Sequence, residues 1–133
     1  MRNIIALATL VAAGLTGCAT DATVRSSPQE LPGTYYSGDG LGRNVTVSIR
    51  PDGTYYSDWQ GCLGVYGESD GTWTLQGEQL TFSPLNAKDM LAGYLTSATT
   101  IRHDGRLGFV RTQDLKQDRV NERLVFLREA LQP

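Results

Sequence analysis

The chain has 133 residues, of which 40% are hydrophobic and 20% are charged. That length suits one domain and falls short of two. Twelve Lys and Arg residues stand against 14 Asp and Glu residues, which gives a formal net charge of -2 at pH 7. Because this balance lacks the basic footprint of a nucleic-acid-binding protein, we expect no nucleic-acid partner.

The beginning of the chain is typical of an export signal. Arg2 precedes an apolar stretch over 4–13, which is too short to cross a bilayer as a helix. The following Leu15-Thr16-Gly17-Cys18 resembles a bacterial lipobox, in which the cysteine thiol is joined to diacylglycerol. We therefore predict a signal peptide over 1–17 and acyl chains such as palmitate on Cys18. An ordinary secreted protein with an incidental cysteine is the alternative.

The lipobox resemblance implies where the chain resides. Ala19 follows the cysteine at the place where inner-membrane retention signals usually carry aspartate. This implies a lipid anchor in the outer membrane, with the domain on the periplasmic face. Residues 19–31 lack periodicity and are rich in small and polar types, so we predict that 18–31 form a lipidated, flexible tether. The folded domain is expected over 32–133.

The second cysteine has no pairing candidate once Cys18 carries lipid. Cys62 is then alone in an oxidising compartment, and no intrachain disulfide is possible. It is either buried as a small apolar filler, which is the commoner case, or exposed as a reactive thiol.

Short alternating segments bounded by turn residues predict strands along the rest of the chain. Val45, Val47 and Ile49 alternate with polar residues and give one apolar face. Asp-Gly pairs at 52–53, 70–71 and 104–105 predict turns, because they supply the positive φ angles that tight hairpins require. The predicted strands are 34–37, 43–50, 54–59, 72–76, 79–83, 97–102, 106–112 and 123–128.

One segment changes its period, because apolar residues recur at positions 87, 90, 91, 94 and 95. This spacing predicts a short helix over 85–95. The whole pattern predicts an all-β fold, a small antiparallel meander barrel of lipocalin-like type with one short helix. Closing such a meander removes the unpaired edges that invite aggregation. A two-sheet β-sandwich is the alternative.

The order of strands and turns also carries a family resemblance. It is similar to the N-terminal lipocalin-like barrel of the NlpE-type copper-resistance lipoproteins. That family has a Cys-x-x-Cys between its first two strands, where this chain has glycines, Asp39 and Leu41 over 38–42. The resemblance therefore implies the barrel but not copper binding. The matching stretches are 33–36, 45–50, 52–55, 71–73 and 79–82.

Candidate catalytic and metal-binding groups are few. Asp39, Asp58, Glu68 and Asp70 form an acidic set without regular ligand spacing. Solvated turns are therefore favoured over a cation site or an acid/base pair. His103, the only histidine, is expected at an exposed hairpin tip. We expect no catalytic residues, no metal site and no cofactor.

The most unusual segment, 59–67, combines two aromatic residues, a thiol and three glycines in a predicted connection. The favoured interpretation is a loop folded back to plug one barrel end. The alternative is a contact surface, since loops often carry function and rigid aromatic side chains bind well. The candidate binding surface comprises Tyr35, Tyr36, Asp39, Asp58, Trp59, Cys62 and Tyr66.

These expectations describe a membrane-anchored periplasmic lipoprotein that acts as a non-enzymatic binding or envelope-interaction module. Its partner is either a protein or a small-molecule ligand. The alternative is a proteinaceous inhibitor or accessory factor, for example of a lysozyme-like enzyme. An enzyme ranks third, because no acid, base and nucleophile converge in the sequence.

Overall fold

A computed structural model describes residues 22–116 and 119–130. The predicted signal peptide over 1–17 and the lipidation site at Cys18 lie outside the described residues. The strands are β1 (Ala22–Thr23), β2 (Gly33–Gly38), β3 (Asn44–Ile49), β4 (Thr54–Gly61), β5 (Gly64–Gln76), β6 (Gln79–Asp89), β7 (Ser97–His103), β8 (Arg106–Arg111) and β9 (Phe126–Arg128).

Strands β2 to β9 form a closed antiparallel barrel. Each strand pairs with the next one along the chain, and β9 pairs with both β8 and β2. The short β1 pairs with β7, where Ala22 lies opposite Arg102. The predicted all-β meander barrel is therefore confirmed, and the two-sheet sandwich is not the architecture of this chain.

The barrel interior is packed with aromatic side chains. Tyr35 contacts Phe109 with ring centroids 5.2 Å apart, and Phe109 stacks on Phe126 at 4.8 Å. Tyr55 meets Phe82 edge-on at 4.9 Å. Along β2, β4 and β6 these inward-facing residues alternate with exposed or half-buried neighbours, as a one-sided core requires. The interior is therefore filled by side chains in the manner of small eight-stranded barrels.

The predicted hairpin turns are present where the chain needs positive φ. Gly53 has φ of 87° between β3 and β4, while Asp104 and Gly105 have φ of 50° and 72° between β7 and β8. Two successive positive φ angles, as at 104–105, are the signature of the type I′ hairpin, whose twist matches that of the flanking strands; the turn before β4 has positive φ at Gly53 alone. Asp70-Gly71 forms no turn, because it lies within β5 at a register shift.

The predicted helix over 85–95 is wrong. Residues through Asp89 continue β6, and Lys88 lies opposite Glu68 of β5. Residues 90–95 form turns that return toward β7, and they bury Leu91 and Leu95 in the core. The helix-like spacing arises because two consecutive turns, and not a helix face, direct these leucines inward.

Helical structure in the described residues is limited to two 3₁₀ turns, Thr112–Asp114 and Glu122–Leu124. Across 22–116 and 119–130 there is no helix of the length and hydropathy that a bilayer span needs.

Residues 22–31, predicted as part of a flexible tether, pack against the barrel. The backbone N–H of Val24 donates to the Thr100 carbonyl at 3.0 Å, and Leu31 is fully buried. The Arg128 side chain donates to the carbonyls of Glu30 and Pro32 and so holds this segment in place. The part of the predicted tether that the structure describes, 22–31, is therefore packed on the barrel, because backbone pairing and a buried leucine side chain hold it there.

The barrel has two distinct ends, which the direction of the strands defines. The end where the chain enters β2 is called the N-terminal end, and the opposite end is called the loop end. The N-terminal end comprises 24–32, 50–53, 77–78 and 104–105, and the loop end comprises 39–43, 62–63 and 90–96.

If Leu31 anchors the N-terminal segment, Leu31→Ala should destabilise the domain. Loss of a fully buried leucine side chain should lower the free energy of unfolding by about 2–5 kcal/mol. Urea denaturation followed by tryptophan fluorescence measures this change. The control is Leu63→Ala, at a side chain that is 90% exposed, where a change within about 0.5 kcal/mol is expected. Equal effects of the two substitutions would contradict the assignment.

Candidate functional site

Exposed apolar side chains gather at the loop end. Six large apolar side chains are exposed in the described part of the chain, and four of them are Leu41, Leu63, Val65 and Met90. Their exposed fractions are 75%, 90%, 54% and 54%. Because single exposed apolar residues are ordinary but clusters are not, this grouping marks the loop end as a candidate interaction surface.

The hairpin between β4 and β5 projects outward and does not plug the barrel. The predicted loop over 61–67 is mostly strand, since Gly61 pairs directly with Gly64 and only Cys62 and Leu63 form the turn. The expected plug is therefore wrong for the hairpin turn. Trp59, at the base of the hairpin, does pack against the core as expected, and Leu91 and Leu95 are buried there.

Contacts to the neighbouring loop fix the hairpin. The Cys62 thiol donates to the Leu41 carbonyl at 3.3 Å, and Trp59 Nε1 donates to the Gly42 carbonyl at 3.3 Å. The Tyr66 ring lies over Gly61 so closely that a Cβ at this glycine would stand 1.8 Å from a ring carbon. The exposed apolar residues are thus presented by a braced pair of loops, which lowers the ordering cost of binding.

A cation–aromatic cluster supports this end from beneath. The Arg111 guanidinium lies 3.9 Å from the Tyr94 ring centroid, and its Nε donates to Asp114 at 2.6 Å. Arg43 donates to the Tyr94 hydroxyl at 2.7 Å and faces the Trp59 ring at 5.8 Å. The acceptors of Arg43 are a tyrosine hydroxyl, a serine hydroxyl and a backbone carbonyl. Arg43 thus connects its own loop to the turns that contain Tyr94 and Arg123.

The structure separates the predicted binding residues into two groups. Cys62 is exposed at the hairpin tip, and Trp59 and Tyr66 are half-buried immediately below it. Tyr35, in contrast, is fully buried, and its hydroxyl donates to the Leu31 carbonyl. Burial raises the pKa of Tyr35 above the ordinary tyrosine value. Tyr35 is therefore a core residue and presents no contact surface.

The remaining predicted residues make local contacts. Tyr36 donates its hydroxyl to Asn44 Oδ1 at 2.6 Å, while Asp58 accepts from Gln60 Nε2 at 2.7 Å. Asp39 Oδ1 accepts from the backbone N–H of Leu41 at 2.8 Å and also from the two following N–H groups. These residues shape the loop end and do not converge on a common point.

Apart from Asp39, which lies in the loop between β2 and β3, the acidic set lies on the outer face of the sheet. Asp58 stands directly opposite Glu68, and Glu68 accepts from the Tyr56 hydroxyl at 3.1 Å. Desolvation, followed by this hydrogen bond, raises the pKa of Tyr56. No group of three or more potential metal ligands occurs within 22–116 and 119–130.

His103 is not at an exposed tip as predicted. It is buried to 7% exposure, and its Nε2 lies 3.5 Å from Asp104 Oδ2. The hairpin turn itself is formed by Asp104 and Gly105, so the imidazole belongs to the last strand position, where the register of β7 places it on the same face as Ile101 and opposite to the barrel core.

Sequence reasoning missed all four exposed apolar residues, although Leu63 and Val65 lie within the segment 59–67 that it singled out. Leu41 is a lone leucine between two glycines, a signal that an apolar side chain sits in a loop without a core partner. Met90 was assigned to a helix face, so its exposure could not be anticipated. The exposed apolar surface at the loop end therefore depends on the turns over 90–95, which the spacing of apolar residues wrongly predicts to be part of a helix.

Comparison with known proteins gives no relative. No family model matches the chain, and no curated protein or solved structure gives a significant match. The functional argument therefore depends on the residues themselves.

The loop that bears Leu41 should respond to pH through Asp39. Hydrogen bonds from the backbone N–H groups of Leu41 and Arg43 hold the pKa of Asp39 below its ordinary value of 3.8. A depressed pKa in the folded chain means that the carboxylate stabilises the loop above the unfolded pKa and loses this effect as pH falls through the folded pKa. The amide proton shifts of Leu41 and Gly42 should therefore titrate with a midpoint below 3.8.

Nuclear magnetic resonance measures this titration directly. The matched control is Asp39→Asn, which keeps an acceptor oxygen but removes the titrating group. In this variant the same amide shifts should lose their acid transition. A midpoint at or above the ordinary aspartate value would show that the carboxylate does not hold the loop.

Proposed function

We propose that the chain is a lipid-anchored lipoprotein of the bacterial envelope that acts as a non-enzymatic interaction module. Cys18 carries the anchor, the outer membrane holds it, and the barrel faces the periplasm. The loop end contacts a protein partner through Leu41, Leu63, Val65 and Met90. The lipobox residues support the anchor, and the exposed apolar cluster supports the contact.

The filled barrel interior favours protein contact over ligand carriage. Tyr35, Phe109 and Phe126 occupy the space that a carrier of this size would leave for its ligand. A barrel of eight strands has room for side chains or for one small ligand, but not for both. A partner can therefore contact apolar side chains on the outside of the barrel, whereas the interior has no space for a ligand.

The observation that carries the proposal is the position of the exposed cluster. The chain enters the barrel at the N-terminal end, while Leu63 and its neighbours lie at the loop end. An anchored domain of this kind holds its apolar end away from its own attachment point. There the cluster is accessible to periplasmic proteins, and such clusters are typical of protein-binding surfaces.

A photo-crosslinking residue placed at position 63 tests the contact in living cells. Because the Leu63 side chain is 90% exposed at the hairpin tip, we expect a discrete protein adduct on irradiation. Leu41→Ser in the same chain should weaken the adduct, since it removes an adjacent apolar contact. Denaturing gels and mass spectrometry measure and identify the product.

The matched control is the same photo-crosslinker at position 85. Leu85 is 77% exposed but lies on β6, outside the loop end. An adduct from position 63 and none from position 85 supports the proposal. Adducts of equal yield from both positions, or none from either, refute it.

A second candidate function is inhibition of an enzyme by the hairpin itself. The observation in its favour is the braced, protruding turn at Cys62 and Leu63, a shape that fits a concave site. The identity of the adduct from position 63 distinguishes the two functions. A muramidase or another envelope hydrolase as partner would favour the inhibitor.

The anchor is tested by Cys18→Ser. Serine has no thiol and cannot form the thioether, so the variant should incorporate no labelled palmitate and should move from the membrane to the soluble fraction. The control is Cys62→Ser, which should leave both labelling and membrane association unchanged. Labelling that persists in Cys18→Ser would place the lipid elsewhere.

A further inference from the structure

The path of the chain into the barrel is fixed by β1. Ala22 lies opposite Arg102 and Thr23 opposite Ile101, antiparallel to β7. Moving toward lower residue numbers, the chain therefore runs along β7 in the direction of the turn at Asp104. It leaves the domain at the N-terminal end and not across the loop end.

Little chain separates this exit from the predicted anchor. Only residues 19–21 lie between Cys18 and Ala22, and four extended residue steps span at most about 14 Å. The segment after Ala22 adds no length, because Ser26 N–H donates to the Gly77 carbonyl at 3.1 Å and Leu31 is buried. An anchored Cys18 therefore keeps Ala22, at the N-terminal end, within that distance of the bilayer.

The same end carries an open, mainly apolar groove of about 660 Å³. Prolines line much of it, and a proline side chain loses almost no rotamer freedom on contact. Trp73 forms its floor, with Nε1 donating to the Arg50 carbonyl at 2.9 Å. The lining includes Pro28, Pro32, Pro51, Trp73 and Leu75.

This end has no excess of cations. Its segments 24–32, 50–53, 77–78 and 104–105 carry two arginines against four carboxylates, and one of these carboxylates, Glu30, is paired with Arg102 at 3.2 Å. Contact with a membrane here therefore depends on the apolar groove and on proximity, and salt should affect it little.

We infer that the N-terminal end rests on the headgroup layer of the bilayer that holds the anchor, with the groove of Pro28, Pro51 and Trp73 against the lipid. This inference rests on the proposed lipidation of Cys18. It orients the molecule, because the apolar loop end then points into the periplasm.

The two tryptophans report on the two ends. Trp73 lies in the groove, and Trp59 lies beneath the hairpin at the loop end. The lipidated full chain is reconstituted into phosphatidylethanolamine and phosphatidylglycerol vesicles that contain a lipid with a nitroxide on its headgroup. Trp59→Phe leaves Trp73 as the fluorophore, and Trp73→Phe leaves Trp59. The quenching slope for Trp73 should exceed that for Trp59 at least twofold, at low and at high salt.

A second pair of variants covers the case in which Trp73→Phe fails to fold. In a Cys62→Ser background, where the Cys18 sulfur is acylated, Pro51→Cys and Leu63→Cys each provide one free thiol for a fluorescent label. Both positions are exposed, and they lie at opposite ends of the barrel. The label at 51 should be quenched more strongly than the label at 63.

Vesicle flotation separates the possible failures. A chain that does not float with the vesicles overturns the proposed anchor. A chain that floats, but in which the loop-end probes are quenched as strongly as the groove probes or more so, overturns the orientation while the anchor stands. Quenching of the groove probes that disappears at high salt contradicts the apolar contact.

Discussion

Strand β9 is only three residues long, yet its hydrogen bonds to β2 and β8 turn an open meander into a barrel. Closure gives every central strand two neighbours, which removes the free edges of a sheet. It also brings Phe126 onto Phe109 and Arg128 over Tyr35. Since Arg128 also holds the carbonyls of the entering segment, the same strand seals the wall and fixes the N-terminal end. With the interior filled, the two ends remain as the surfaces for interaction.

The sequence predicts this wall well because its signals are local. Alternation in 45–49 and the Asp-Gly turns at 52–53 and 104–105 each depend on a few adjacent residues. The helix over 85–95 failed because the apolar spacing has two structural causes, a helix face and a pair of inward turns. Only the pairing of β6 with β5 through Asp89 distinguishes them, and that pairing is a tertiary contact.

The candidate site was predictable only in part. Trp59, Cys62 and Tyr66 were chosen from the density of unusual residue types, and they do lie together at one end. Tyr35, which was predicted to lie beside them, is a core residue, because aromatic character does not reveal which face of a strand is inward. The exposure of Met90 could not be predicted, since it results from turns in a segment whose apolar spacing predicts a helix. Residue types thus identify the segment that forms the candidate site. Which of its side chains are exposed is decided only when the barrel closes.

The strand that closes the barrel, β9, is also the last to be synthesised, and this affects how the chain folds. The contact between Arg128 and Tyr35 joins residues 93 positions apart. Ribosomes deliver a chain from its amino terminus onward, so seven strands of the wall exist before the one that seals it. During this interval β2 offers an unpaired edge to any neighbouring polypeptide, and such edges recruit foreign strands. A chain of this topology gains from holdase chaperones until its final segment emerges.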